Sequence, residues 1–224
     1  MRMELLSVNV GLPQLLGVWQ GEPISSGIRK FPVGADSVAV RSINIDGDGQ
    51  ADRTLHGGPD KAVYAYPTDH WPWWYAQHDF ETAPASFGEN LTLRGADETE
   101  VRIGDRFSWG AHVVLEVSQP RAPCFKFALL TGREDLSAYM TVTAKSGWYF
   151  RVLQAGTAPT RGLLERLNTD QAQPTVHEAF VAVYHPRVAS DVVQRVLDAP
   201  SLAEVWRAGL VRRLKAAGYG ASGS

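Results

Sequence analysis

Cysteine is almost absent from this chain: Cys124 is the single one in 224 residues. That scarcity excludes an internal disulfide, an iron–sulfur cluster held on four thiolates of this chain, and a cysteine-rich zinc site. The lack of disulfides suits a reducing compartment. Long apolar runs are missing too, and none approaches the roughly 18 residues of a membrane-spanning helix. The opening Met1-Arg2-Met3-Glu4-Leu5-Leu6 lacks the apolar core and small-residue cleavage site of a secretion signal. A cytoplasmic protein without membrane contact is therefore expected. Neither charge sign is in excess: Lys and Arg number 22, Asp and Glu 24, and the formal net charge is −2. Such balance gives no global attraction to a nucleic-acid polymer, so any anion site must be local. No G-x-x-x-x-G-K-[ST] loop occurs, and no glycine fingerprint between a strand and a helix marks a dinucleotide. Electrons for any redox chemistry have to come from another protein.

What is present up to about residue 170 is a series of short β-branched or aromatic runs bounded by Gly, Pro and Asp. Strands are predicted at 5–10, 37–43, 61–66, 90–94, 113–118 and 148–154, with a turn at Ile103-Gly104-Asp105-Arg106. Helices are predicted from Thr68 to about His78, with Pro72 in the first turn, and over 135–144. Many short strands and few helices predict a mainly β fold, an irregular closed β-barrel, rather than a parallel α/β sheet. The pattern changes after about residue 172. Thr175 and Glu178 form a capping box opening a helix over 175–184; a second helix covers 189–197. Ser201 and Glu204 form another box, leading into 204–207 and then 210–217. The expected organisation is a barrel domain over 1–170, a small three-helix appendage over 171–218, and a disordered Gly-Ser-rich tail over 219–224.

Four constellations can carry chemistry. In Gln119-Pro-Arg-Ala-Pro-Cys124-Phe-Lys126 two prolines stiffen the turn behind a strand, while Arg121 and Lys126 place positive charge near the sulfur. Cations favour the thiolate, which ligates soft metal centres or carries a persulfide. The alternative is a small buried hydrophobe. The segment from Asp46 to Lys61 opens like a calcium loop, but Ala51 and Gly57 stand where glycine and glutamate are needed, so calcium is rejected. Its second half, with Arg53, His56, Gly57, Gly58 and Lys61, can turn successive N–H groups toward an anion, or be an ordinary hairpin loop. Phe87-Gly88-Glu89-Asn90 offers a carboxylate and an amide to a pocket, or caps a turn. The aromatic stretch containing Tyr64, Tyr66, His70, Trp71, Trp73, Trp74 and Tyr75 can stack on a flat heterocycle or form core.

Taken in order, several segments resemble the MOSC family, and within it the YiiM-like group. They are Ser26-Gly-Ile-Arg-Lys30, Asp46-Gly-Asp-Gly-Gln-Ala-Asp52, His56-Gly-Gly58, Asp60-Lys-Ala-Val63, Tyr66-Pro67, Asp69-His-Trp71, Phe87-Gly-Glu-Asn-Leu-Thr92, Ile103-Gly-Asp105, Gln119-Pro-Arg121 and Pro123-Cys124. The resemblance implies a pyruvate-kinase-barrel-like β-barrel followed by three helices. It also implies a molybdenum cofactor of the molybdopterin type and reduction of N-hydroxylated compounds such as hydroxylamino purines, with a separate electron donor. On that reading Cys124 is the metal ligand, and Cys124, His56 and Glu89 are catalytic. The cofactor is held by Arg53, His56, Gly57, Gly58, Lys61, Asn90, Arg121 and Lys126. Tyr66, His70 and Trp74 line the substrate pocket, and Glu89, His56 or His70 supplies a proton. The same residues also admit a sulfurtransferase carrying a persulfide on Cys124, or a non-enzymatic ligand-binding protein. Whether the chain is a monomer or a homodimer is left open.

Overall fold

An odd number of strands cannot close into a barrel by alternating up and down all the way round, so at least one neighbouring pair must run parallel. The computed structural model, which describes residues 1–51 and 57–216, meets that condition once. Twelve strands occur among the described residues: β1 (Arg2–Val10), β2 (Gln14–Trp19), β3 (Glu22–Ser26), β4 (Phe31–Pro32), β5 (Ser37–Val40), β6 (Val63–Pro67), β7 (Leu91–Arg94), β8 (Arg106–Trp109), β9 (Val113–Pro120), β10 (Trp148–Gln154), β11 (Gly156–Pro159) and β12 (Gly162–Asn168). The helices are α1 (Trp71–His78), α2 (Phe125–Thr131), α3 (Asp135–Thr143), α4 (Val176–Tyr184), α5 (Ser190–Asp198) and α6 (Glu204–Ala216).

Seven strands close in the order β12-β8-β9-β10-β6-β7-β1, with β1 pairing back onto β12. Only β6 and β7 run parallel, and the crossover between them carries α1, as a parallel connection requires. β4 adds a short pairing to β1, while β2–β3 and β5–β11 form two separate ribbons. The expected mainly β closed barrel with helices is what the chain adopts.

The barrel interior is filled by side chains such as Leu5, Leu91, Phe107, Trp109, Leu115, Val117, Trp148 and Phe150. Every residue of β6 is buried because both of its faces are covered. Val63 and Ala65 point into the barrel core. Tyr64 and Tyr66 join Trp74, Phe87, Phe127, Leu136 and Met140 in a second cluster under α1, α2 and α3. A fully buried side chain of this size contributes about 1.5–3 kcal/mol. That second cluster is what fixes α2, and α2 carries the cysteine at its start.

Several element boundaries differ from expectation for local reasons. The strand predicted over 37–43 stops at Val40, because Arg41 N–H donates to the Asn44 carbonyl (2.8 Å) and turns the chain. Lys61 ends a one-turn 3₁₀ helix, Pro59–Lys61, and the strand begins at Val63. The capping box of α4 forms as predicted: Glu178 N–H donates to Thr175 Oγ1 (3.0 Å), and Thr175 N–H donates to the Glu178 carboxylate (2.8 Å). The two helical pieces predicted over 204–217 are instead one helix, α6. Gly209 does not break it, since a glycine costs only about 1 kcal/mol in a helix interior, and Trp206 and Leu210, one turn apart, are both buried. The helices are continuous with the barrel core: Val176, Phe180, Trp206 and Leu210 belong to the same buried cluster as Val117 and Ile103. Main-chain bonds from Val176 to Val101 (2.8 Å) and from Ala203 to Ser118 (3.0 Å) tie them on. No helix among the described residues is long and apolar enough to cross a membrane. The tail predicted over 219–224, together with Arg53 and His56, lies outside the described residues.

Candidate functional site

β9 ends at Pro120, and the next four residues turn the chain into α2. Cys124 occupies the N-cap position of that helix with extended backbone (φ −146°, ψ 157°) and is partly exposed. It opens onto a cleft. The cleft wall is assembled from distant segments: the end of β3 with Ile28 and Lys30, residues 48–51, Gly57 and Lys61, Phe87, Gly88 and Asn90, Arg121 with Ala122, Cys124 and Lys126, and the rings of Tyr64 and Tyr149. Among the described lining residues Lys30, Lys61, Arg121 and Lys126 are cationic, and Asp48 is the only carboxylate. A chain with net negative charge thus concentrates an excess of positive charge around its one cysteine.

Asp48 organises one wall. Its Oδ1 accepts from Gly11 N–H (3.0 Å) and from the Lys30 ammonium, and its Oδ2 accepts from the Asn90 amide (3.1 Å) and Gln50 (3.5 Å). Asn90 also donates to the Asn9 carbonyl (3.1 Å) and accepts from Tyr64 N–H (3.0 Å), so it locks the end of β1 to β6. Burial pushes the Lys30 pKa below the ordinary lysine value, against the opposing pull of Asp48. Lys61 is also lowered by burial, with Asp60 opposing.

Arg121 forms the other wall and is only 4% exposed. Its guanidinium lies over the rings of Tyr64 and Phe127, 5.2 Å from each centroid, and donates to Met140 Sδ at 3.2 Å. No carboxylate pairs with it among the described residues. Burial opposes its charge, yet Tyr64, Cys124 and Tyr149 outweigh that opposition and its pKa is raised. A buried cation held by π faces and a sulfur, and facing open space, is stabilised by an arriving anion. Burial also pushes the Tyr149 pKa up to about 12, with Arg121 opposing, so its hydroxyl stays protonated at neutral pH.

Of the predicted site residues, Cys124, Gly57, Lys61, Asn90, Arg121 and Lys126 meet at the cleft. Gly57 and Gly58 both take positive φ (87° and 88°), and Gly58, with ψ 175°, is extended rather than left-handed. Four others are placed elsewhere. Glu89 is fully buried, with its carboxylate accepting from Ala85 N–H (2.8 Å), Phe87 N–H (3.0 Å) and Thr92 Oγ1 (2.8 Å). It ties its own loop together and does not line the cleft. Tyr66 and Trp74 sit in the aromatic core, with Trp74 Nε1–H donating to Tyr66 Oη at 2.6 Å and Tyr66 stacked 3.7 Å from Phe87. His70 is buried against Glu98 at 2.5 Å. The placement of Tyr66, His70 and Trp74 in a pocket wall is corrected accordingly: α1 covers the outer face of β6 and takes them into the core. Lys30, Asp48, Tyr64 and Tyr149 line the cleft without having been selected from the sequence. Lys30 and Asp48 stood in two of the segments that carry the family resemblance. Tyr64 was named only within the aromatic stretch read as ligand platform or core, and Tyr149 had only strand alternation, which does not say which face of a strand a cleft will meet.

Comparison with known proteins agrees with this architecture. Residues 52–171 match the MOSC domain model, and residues 174–217 match that of the YiiM-like 3-alpha helix domain. The chain is 39% identical over 212 residues to the uncharacterized protein YflK of Bacillus subtilis, covering 95% of each. It is 34% identical to protein YiiM of Escherichia coli, covering 87% of this chain and 86% of that one. A reductase of Gibberella moniliformis shares 38% identity over half of this chain, which amounts to 21% of its own length. The crystal structure of YiiM from Geobacillus stearothermophilus superposes with a TM-score of 0.78 at 32% identity, covering 95% of this chain and 99% of that one. This chain belongs to the MOSC family and carries the YiiM-like three-helix domain behind its barrel.

Proposed function

We propose that the cleft holds a molybdenum cofactor ligated by Cys124, and that the protein reduces N-hydroxylated compounds, hydroxylamino purines among them, with electrons from a separate donor. The observation that carries this reading is the pairing of the single cysteine with a buried arginine that lacks a carboxylate partner among the described residues, in a cleft rich in cations.

The donor set fits such a group. Among the described residues no cluster of three or more His, Cys, Asp or Glu could hold a metal ion by itself. A metal bound by a pterin dithiolene brings most of its own ligands and takes a single soft donor from the protein. Cys124 provides that donor. Arg121, Lys61 and Lys126 neutralise anionic groups of the cofactor, and the Gly57-Gly58 turn offers main-chain N–H groups. When bound, the cofactor supplies the two-electron oxygen-removing chemistry that no side chain here possesses. The net reaction takes R–NH–OH, two electrons and two protons to R–NH₂ and water. Tyr149 keeps a proton on its hydroxyl at the cleft wall, and Lys30 Nζ lies on the same wall against Asp48. The reductase among the relatives supports a redox role.

The test is direct. Protein made in a host that synthesises the cofactor, supplied with a strong chemical reductant, converts a hydroxylamino purine to the corresponding amine. Molybdenum-loaded protein that leaves that substrate untouched refutes the substrate class. A persulfide mass shift on Cys124 without any molybdenum refutes the reductase and favours sulfur transfer.

A further inference from the structure

Behind the cleft lies a strap, residues 145–147, whose carbonyls hold Tyr66 of the aromatic core and two parts of the cleft wall. Lys145 O accepts from Tyr66 Oη (3.3 Å), Ser146 O from Tyr64 Oη (2.8 Å), and Gly147 O from Arg121 N–H (3.3 Å). Tyr64 in turn lies under the Arg121 guanidinium. The strap thus supports Arg121 through both its backbone and its side chain, three residues before the sulfur. Gly147 has φ +67°, and a Cβ there would fall 2.2 Å from the Ala65 carbonyl oxygen, so the strap is pressed against β6.

One carboxylate anchors this strap. Glu98, only 2% exposed, accepts from Gly147 N–H through Oε1 at 2.6 Å. Its Oε2 meets His70 Nε2 at 2.5 Å, and Lys145 Nζ lies 3.3 Å from His70 Nδ1. The Glu98 carbonyl also accepts from His177 N–H (2.8 Å) in the first turn of α4. A carboxylate this deeply buried is tolerated only when paired and fully hydrogen-bonded. Its bonds run in one line from His70 through Glu98 and Gly147 to Arg121. We infer that Glu98, braced by His70, is a positioning residue that sets the Arg121 guanidinium beside the Cys124 sulfur. The inference concerns the same cleft as the proposed function, but its test reads the thiol of metal-free protein and does not depend on cofactor or substrate.

The measurement is the rate of Cys124 alkylation by iodoacetate divided by the rate with iodoacetamide. The cations around the sulfur favour the anionic reagent, Arg121 among them, so Arg121→Met calibrates how far the ratio falls when that guanidinium is removed. Glu98→Ala is expected to drop the ratio several-fold toward the Arg121→Met value. Glu98→Gln, which keeps an amide oxygen to accept from Gly147 N–H but no longer accepts from His70, restores part of it. Asp105→Asn serves as the control, because Asp105 is as deeply buried and pairs with Arg166 (3.3 Å) without touching the strap. It lowers the melting temperature and leaves the ratio in place. An unchanged ratio in folded Glu98→Ala, or an equal drop in Asp105→Asn, overturns the inference. If Glu98→Ala does not fold, His70→Leu removes the brace and is read by the same criteria.

Discussion

At the scale of the residue, the site depends on charges kept in places that water does not reach. Arg121 is the clearest case. An unpaired buried cation is a poor contributor to stability, and replacing such a group with an apolar side chain of similar volume is often neutral or stabilising. Arg121→Met is therefore expected to melt at or above the temperature of the parent protein while losing its capacity to retain the cofactor, measured by thermal melting and metal analysis on one preparation. Glu89 makes a pH-dependent contribution. Burial raises its pKa above the ordinary glutamate value of 4.5, although the bonds from Thr92, Ala85 and Phe87 oppose the shift. The native chain then holds that proton more tightly than the unfolded chain. The stabilisation is complete below 4.5 and is lost as pH rises through the raised native value. Denaturation midpoints followed upward from that pH fall more steeply in the parent than in Glu89→Gln, and parallel slopes would remove this account of Glu89. Cys124, Arg121 and Lys126 were legible in the sequence because cations and a thiol within a proline-stiffened turn have few other uses. Tyr66 and Trp74 misled because an aromatic stretch reads the same whether a helix covers it or a ligand does.

At the scale of the element, local chemistry was legible wherever it is self-contained. The capping box at Thr175 and Glu178 closes within four residues, so the start of α4 could be read directly. Other elements depend on partners far away in sequence. β12 carries exposed Leu163 and Leu167 on either side of buried Leu164, a pattern with no alternation to detect, and it exists because β1 and β8 flank it. The seven residues of α2 are too few to display a helical period, yet they set the position of Cys124. α6 was expected in two pieces, 204–207 and 210–217, and Gly209 lies between them. There a Cβ would meet nothing closer than an Arg212 nitrogen at 3.8 Å. Gly209→Ala consequently stabilises the protein by about 0.5–1 kcal/mol, seen as a higher denaturation midpoint; a lower one would mean that the helix needs the glycine for packing.

At the scale of the whole molecule, the barrel and the three helices share one buried cluster, so they are expected to unfold together. Trp206 tests this. It is 5% exposed, and its indole N–H donates to the Ala179 carbonyl at 3.0 Å. Trp206→Ala costs about 3–5 kcal/mol and moves the entire transition, with tryptophan fluorescence and far-ultraviolet dichroism still coincident. Two separated transitions would show the helices to be an independent unit. Barrel class was legible from the density of short strands, whereas the single parallel pair was not, because only closure onto β12 creates the parity that demands it. Closure also explains the site: it brings the loop behind β3, the turn before β6 and the end of β9 to one cleft, although more than ninety positions separate Lys30 from Cys124 in the sequence. The most direct test of the central claim is the molybdenum content of purified protein from a cofactor-producing host, measured for the parent chain and for Cys124→Ser. The account predicts stoichiometric molybdenum in the parent and its loss in the variant; molybdenum-free parent protein, or a variant that retains the metal in full, would contradict it.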